Sequence, residues 1–171
     1  KVICSDFTLE ADMVLVAIGI KPNSELAARA GIDLGIKNAI SVDRKLKTSN
    51  ENIYAAGDCA DAYHVVTGQK TWIPLALRAN RAGWAVADNV CGKEVSLSGI
   101  VGTAVFKVFD LEVARTGLTM EEAKKSGFDP AKVIIKTRSR AHAHPGASTI
   151  WVQMIGDKKT GRLLGAQMVG K

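Results

Sequence analysis

Apolar positions follow three patterns along the chain. Residues 11–19, Ala-Asp-Met-Val-Leu-Val-Ala-Ile-Gly, are almost continuously apolar. An unbroken apolar run of strand length is the pattern of a strand buried on both faces of a parallel sheet. The run ends on Gly19. Asn23 or Ser24 can then cap a short helix over residues 25–30, which Gly31 stops. Residues 39–42, Ala-Ile-Ser-Val, read as a further short strand with Asp43 and Arg44 behind it.

A second block opens with the polar loop 48–52 and enters Ile53-Tyr54-Ala55-Ala56, which reads as a short strand. It stops on Gly57-Asp58-Cys59. A loose polar stretch over 61–71 follows, and Pro74 opens a helix running from about residue 75 to 90. Proline suits a first helical position, where its missing N–H would have had no partner. Cys91-Gly92 ends that helix with a glycine in the expected place.

In the third block the periodicity becomes that of antiparallel strands. Residues 102–109, 112–116, 133–136, 150–155 and 163–169 read as strands, and 157–161 as the hairpin joining the last two. Thr119 with Glu122 forms a capping box, so a helix should start at Thr119 and end at Gly127. Strands joined by hairpins around one helix predict a separate α+β unit with a mostly antiparallel sheet. The short polar segment 92–99 is its linker. Phe106 and Val108, with Ile150, Val152 and Met154, alternate as strand faces do, and Trp151 falls on the opposite face. One helix can cover only one side of such a sheet, so the other must meet something else.

Composition narrows the function classes. The chain has 171 residues, 47% hydrophobic, enough for a core. Its net charge of +6 comes from scattered Lys and Arg, with short clusters at 44–47 and 136–140. Only 5% of residues are aromatic. Basic residues without interleaved stacking rings argue against nucleic-acid binding and for solvated faces, or for a groove that greets an anionic ligand. Three widely spaced cysteines, Cys4, Cys59 and Cys91, with no C-x-x-C, argue against a disulfide framework and a zinc site and fit a reducing, cytoplasmic setting. No apolar run approaches the roughly 18 residues of a membrane helix.

The chemistry concentrates at Gly57-Asp58. A strand ending at the carboxyl edge of a parallel sheet is where α/β folds bind ligands. Glycine admits close backbone approach, and a carboxylate accepts hydrogen bonds from sugar or ribityl hydroxyls. The helix beginning at Pro74-Leu75-Ala76 presents unpaired N–H groups to an anion. Together these residues describe a site for a polyhydroxyl ligand with a planar, anionic head. The plainer alternative is a turn aspartate that caps its own loop.

Three strings in order bear on that choice. Thr48-Ser-x-x-x-Ile-Tyr-Ala-Ala-Gly-Asp58 resembles the second flavin-binding motif of the pyridine nucleotide-disulfide oxidoreductases. Asp12-x-Val-Leu-Val-Ala-Ile-Gly19-x-x-Pro22-Asn23 resembles the segment that closes their NAD(P)H domain. Gly102-Thr103-Ala-x-Phe106, then Ala114-x-Thr-Gly117-Leu and Gly161-Arg-Leu-Leu-Gly165-Ala-Gln167-x-Val-Gly170, resemble their dimerisation domain. The nearest branch is that of NADH oxidase, NADH peroxidase and coenzyme A-disulfide reductase. The resemblance implies the end of an FAD/NAD(P)-binding doubly wound α/β region followed by an incomplete α+β dimerisation domain. Residues 1–20 would end the NAD(P)H-binding domain, 21–97 would belong to the FAD-binding domain and 98–171 to the dimerisation domain.

Function follows from the same resemblance. Asp58, with Gly57, would bind the FAD ribityl chain. Pro74, Leu75 and Ala76 would lie against the flavin pyrimidine edge, and Gly19 beside NAD(P)H. Electrons would pass from NAD(P)H through FAD to oxygen, peroxide or a disulfide or persulfide, with NADH oxidase favoured, in a homodimer. Coenzyme A-disulfide reductases often carry a tyrosine pair where Ala143 and His144 precede Pro145-Gly146, which weakens the disulfide reading. His144 is the one catalytic candidate, since the family's redox cysteine belongs to an N-terminal helix with no counterpart here. Cys59 reads as a small neighbour of the flavin site, not a nucleophile. His142 and His144 are too few for a metal site. No G-x-G-x-x-G occurs, and the chain lacks an initiator Met, so a piece of a longer enzyme is expected. This chain by itself should hold FAD poorly and not turn over NADH. The alternative is a non-catalytic dimerisation or binding fragment.

Overall fold

The computed structural model describes residues 1–141 and 143–171. Its amino-terminal part pairs β1 (Val2–Ile3) with β2 (Thr8–Leu9) and adds the short helix α1 (Glu25–Arg29). β3 (Ala62–Tyr63) and β4 (Lys70–Thr71) form a small hairpin within the stretch expected to be loose. The long helix α2 (Ala76–Val90) follows. The carboxyl-terminal unit is a five-stranded antiparallel sheet of β5 (Ala104–Val108), β6 (Leu111–Gly117), β7 (Pro130–Arg138), β8 (Thr149–Asp157) and β9 (Leu163–Gly170). Its order is β5-β6-β9-β8-β7, with α3 (Met120–Lys125) packed on one face.

The three strands expected in the first half do not form. Residues 13–20 pair with nothing among the described residues, and Met13, Leu15 and Ile18 are 88%, 87% and 93% exposed. A strand buried on both faces needs neighbours on both edges, and the described residues supply none. Residues 39–42 and 53–56 make only isolated bridges: Ile40 to Ala60 in parallel, and Tyr54 to Lys47 antiparallel. Pro74 also sits two residues before the first helical position, because Leu75 is the N-cap of α2 and Ala76 its first residue. Ser24 does occupy the N-cap of α1, yet its hydroxyl donates to the Asn38 carbonyl at 2.5 Å and caps nothing.

One helix organises these loops. α2 buries Arg78, Ala82, Ala85 and Asn89, spaced as a single stripe along the helix. The alanines lie against Val42, Leu46, Ala55 and Ala60, and their small size lets the helix approach closely. At the far end, Asn89 donates to the carbonyls of Lys45 (2.8 Å) and Val95 (2.9 Å) and accepts from the Val95 amide (2.7 Å). The linker 92–99 is therefore held, with Arg44 adding a bond to the Ser98 carbonyl at 2.6 Å.

The sheet agrees closely with expectation, but its register corrects the assignment of faces. Paired residues share a face. Phe106, Val113, Val169 and Trp151 form one row, so Phe106 and Val108 lie on the side of Trp151. Ile150, Val152 and Met154 lie on the other side with Val105, Met168, Val133 and Ile135. α3 covers one end of the Trp151 side, where Ile155 and Leu164 are fully buried against Leu118 and Ala123.

The capping box forms as expected. The Thr119 hydroxyl accepts from the Glu122 amide at 3.2 Å, and the Glu122 carboxylate accepts from the Thr119 amide at 2.7 Å. Arg115 on β6 adds an ion pair to Glu122 at 2.8 Å. Burial pushes the Glu122 carboxyl up, but the Thr119 amide, the Arg115 guanidinium and the Thr119 side chain together hold it below its ordinary 4.5. A carboxyl whose pKa is lowered by folding stabilises above its unfolded value and loses that contribution as pH falls through the folded one. Urea denaturation as a function of pH should therefore show stability falling below about pH 4.5, and less steeply in Glu122→Gln. Thr119→Ala should cost about 1 kcal/mol at neutral pH.

Candidate functional site

The turn at residues 57–61 is built from backbone groups that other elements hold in place. Gly57 has φ +91°, a conformation that favours glycine, and the space where its Cβ would stand is open. The Ala60 amide closes the turn on the Gly57 carbonyl at 3.2 Å. The Trp72 indole N–H donates to the Asp58 carbonyl at 2.7 Å. Arg78, in the first turn of α2, donates to the carbonyls of Gly57 (2.5 Å), Ala60 (3.1 Å) and Asp61. The turn and the start of α2 are thus one unit.

Two carboxylates three residues apart have opposite environments. Asp58 is exposed, and among the described residues its carboxylate has no hydrogen-bond partner. Asp61 is 0% exposed. Its Oδ1 accepts from the Val42 amide (3.0 Å) and from Lys70 Nζ (2.7 Å), and Lys70 also donates to the Val42 carbonyl. Its Oδ2 is buried without a partner against Gly35, where any Cβ would collide with it. Lys70 Nζ lies 4.6 Å from the centre of the Tyr63 ring.

The helix start is open. Leu75 is half-buried with extended dihedrals and offers no side-chain cap, so the first N–H groups of α2 remain available. Two clefts meet at Leu75 and Gly102. One, of about 550 Å³, is lined by Trp72, Ile73, His64 and Arg115; the other, of about 500 Å³, by Ala76, Arg78 and Arg81. His64 is buried and accepts from the Val66 amide at its Nδ1 (3.2 Å). Burial lowers its pKa; Glu122 opposes the shift and Arg115 adds to it.

Gly57, Asp58, Pro74, Leu75 and Ala76 thus belong to one region. Gly19 does not join it: it is exposed, with φ +90°, in the unpaired segment. His144 is exposed in the turn between β7 and β8, where its amide bonds to the Ala141 carbonyl at 3.0 Å. His142 lies outside the described residues. No group of three metal-ligating side chains occurs among the described residues. Cys4, Cys59 and Cys91 are free thiols, and Cys59 Sγ donates to the Ala56 carbonyl at 3.4 Å. Sequence reading missed Asp61, Lys70, Trp72 and Arg78. Of these only Arg78 left a signal, its place on the stripe shared with Ala82, Ala85 and Asn89.

The residues present suit a ligand lying over the turn. An exposed, partnerless carboxylate faces solvent beside a glycine with open space, next to unpaired helix N–H groups and clefts large enough for a ring system. No helix among the described residues is long and apolar enough to cross a membrane.

Comparison with known proteins agrees with this arrangement. Residues 2–83 match the model of the pyridine nucleotide-disulphide oxidoreductases, and residues 103–171 that of their dimerisation domain. The chain is 45% identical over 170 residues to the NAD(P)H sulfur oxidoreductase (CoA-dependent) of Pyrococcus furiosus, covering 99% of this chain and 38% of that protein. It is 38% identical over 161 residues to an NADH oxidase of Methanocaldococcus jannaschii, covering 94% of this chain and 36% of the relative. The structure of an NAD-dependent persulfide reductase from A. fulgidus superposes with a TM-score of 0.90 at 44% identity, over 94% of this chain and 30% of the other. The chain therefore spans little more than a third of the length of these curated relatives. Two matches in the family's own order, together with the turn and helix described above, make this chain a member of the pyridine nucleotide-disulphide oxidoreductase family.

Proposed function

We propose that this chain is the carboxyl-side part of an FAD-dependent NAD(P)H oxidoreductase, with residues 1–20 ending the NAD(P)H domain, 21–97 completing the FAD domain and 98–171 forming the dimerisation domain. The observation that carries this reading is the exposed, partnerless Asp58 carboxylate on a turn locked to the start of α2. When bound, FAD supplies the two-electron relay between NAD(P)H and the acceptor. Asp58, beside Gly57, accepts hydrogen bonds from the hydroxyls of the ribityl chain. The N–H groups at Leu75 and Ala76, with Pro74 before them, would hold the pyrimidine edge and stabilise negative charge there. Gly19 would lie beside the nicotinamide cofactor.

A charge-assisted hydrogen bond of this kind is worth about 1.5–3 kcal/mol. Asp58→Ala in the complete enzyme should therefore weaken FAD binding roughly ten- to hundredfold. Flavin retained unchanged through dialysis would make Asp58 a plain turn residue.

The electron acceptor in this reading is a sulfur compound of the persulfide or polysulfide class. The support is the 45% identity to a CoA-dependent sulfur oxidoreductase and the likeness to a persulfide reductase. A second reading, oxygen, is favoured by relatives named NADH oxidase. Steady-state NADH turnover with polysulfide in the absence of air, against turnover with dioxygen alone, separates the two. Faster turnover with polysulfide is expected.

A two-fold homodimer is the proposed assembly, in a cytoplasmic protein. On the side of the sheet away from α3, Val105 is 73% exposed and Val133 53%, with Ile135, Met154 and Met168 beside them. An apolar face of this breadth needs a cover, and a second copy of the dimerisation domain supplies it. His144, at the tip of the β7–β8 connection, would then reach the partner's flavin site and exchange a proton there. Light scattering at micromolar concentration should give a dimer, and Ile135→Glu should weaken it. A fully active monomer would remove both the interface and the shared role of His144.

A further inference from the structure

Arg78 occupies a position that stability alone does not favour. It is the third residue of α2, at the end where the helix dipole is positive and a cation is disfavoured. The residue is 9% exposed, and among the described residues no carboxylate lies within ion-pair distance of its guanidinium. Burial pulls the guanidinium pKa down, and the nearby charges of Asp61 and Asp58 offset that only in part. Its neighbours on the buried stripe, Ala82 and Ala85, show that a small apolar residue packs well against these same loops.

What Arg78 gains is three carbonyls of one turn, and the placement of those carbonyls is specific. The Gly57 carbonyl belongs to the peptide immediately before Asp58, and Arg78 holds it at 2.5 Å. The Asp58 carbonyl belongs to the peptide immediately after, and the Trp72 indole holds it at 2.7 Å. With both flanking peptide planes anchored from outside the turn, the backbone dihedrals of Asp58 are fixed and so is the direction of its Cα–Cβ bond. The remaining bonds, to Ala60 and Asp61, hold the exit of the same turn. None of the guanidinium's contacts is with the Asp58 carboxylate itself, which stays free to accept from a ligand.

We propose that Arg78 is a positioning residue that aims the Asp58 carboxylate at the flavin polyol. It anchors the Gly57 peptide to the first turn of α2, the same turn that faces the ring. The inference rests on the reading of Asp58 as a flavin ligand. Preorganisation of this kind raises affinity because the carboxylate need not be ordered on binding.

A double-mutant cycle on the complete flavin-loaded enzyme tests it, with the FAD dissociation constant as readout. Arg78→Met should weaken FAD binding about tenfold or more. In an Asp58→Ala background the same change should cost no more than about twofold, because a misaimed side chain that is absent has nothing to lose. Arg78→Lys keeps the charge but not the planar fork, and should fall between wild type and Arg78→Met. It also replaces Arg78→Met in the cycle should that variant not fold. If the full cost of the Arg78 change persists without Asp58, or if Arg78→Met lowers the melting temperature while leaving FAD affinity unchanged, the proposal is overturned and the reading of Asp58 stands. If Asp58→Ala alone leaves FAD affinity unchanged, that reading fails and takes this proposal with it.

Discussion

The first half of the molecule depends on one helix supplying hydrogen bonds that no sheet supplies. Between Ile32 and Ala60 the chain makes turns and single bridges, and it still buries Val42, Leu46, Ala55 and Ala60. Buried carbonyls without a ladder need other donors. α2 provides them at its two ends: Arg78 for Gly57, Ala60 and Asp61, and Asn89 for Lys45 and Val95. Ala82 and Ala85 between them keep the helix close enough for both polar ends to reach. A larger residue at 82, where exposure is 0%, would lift the helix off the loops and separate the donors from their acceptors.

How much of this the sequence revealed depends on how local the cause was. The third block was legible because each of its signals acts within a few residues. The Thr119–Glu122 capping box, the alternation along β8 and the hairpin at 157–161 all appear where expected. Register was not legible. It is set by pairing across β6, β9 and β8, and it moved Phe106 and Val108 to the side of Trp151. In the first half the apolar run 11–19 has the composition of a buried strand, but composition cannot supply the neighbours that make a strand. The same distinction holds at the site. Gly57-Asp58 and the Pro74 helix start stood out as local patterns. Asp61, Lys70 and Trp72 did not, because their roles arise from contacts across 9 to 19 positions, such as Asp61 with Lys70 and Val42, that leave no spacing rule in the chain.

Asp58 and Asp61 show how one turn can assign different work to two identical side chains. Asp61 is taken out of solvent and neutralised by Lys70, and it anchors Val42, so it ties the turn to the core. Asp58 is left exposed. The partition depends on which cation goes where. Lys70, a compact charge on a flexible stem, reaches a carboxylate oxygen and a carbonyl at once. Arg78, with a planar array of donors, spreads over three carbonyls of one turn. Exchanging the two would give Asp61 the rigid fork and the carbonyls a point charge too small to serve all three. The guanidinium could also swing to Asp58 and occupy the oxygens that a ligand needs. Arg78 is committed to three carbonyls of the turn and Lys70 to Asp61 and the Val42 carbonyl, and that commitment leaves the Asp58 carboxylate available.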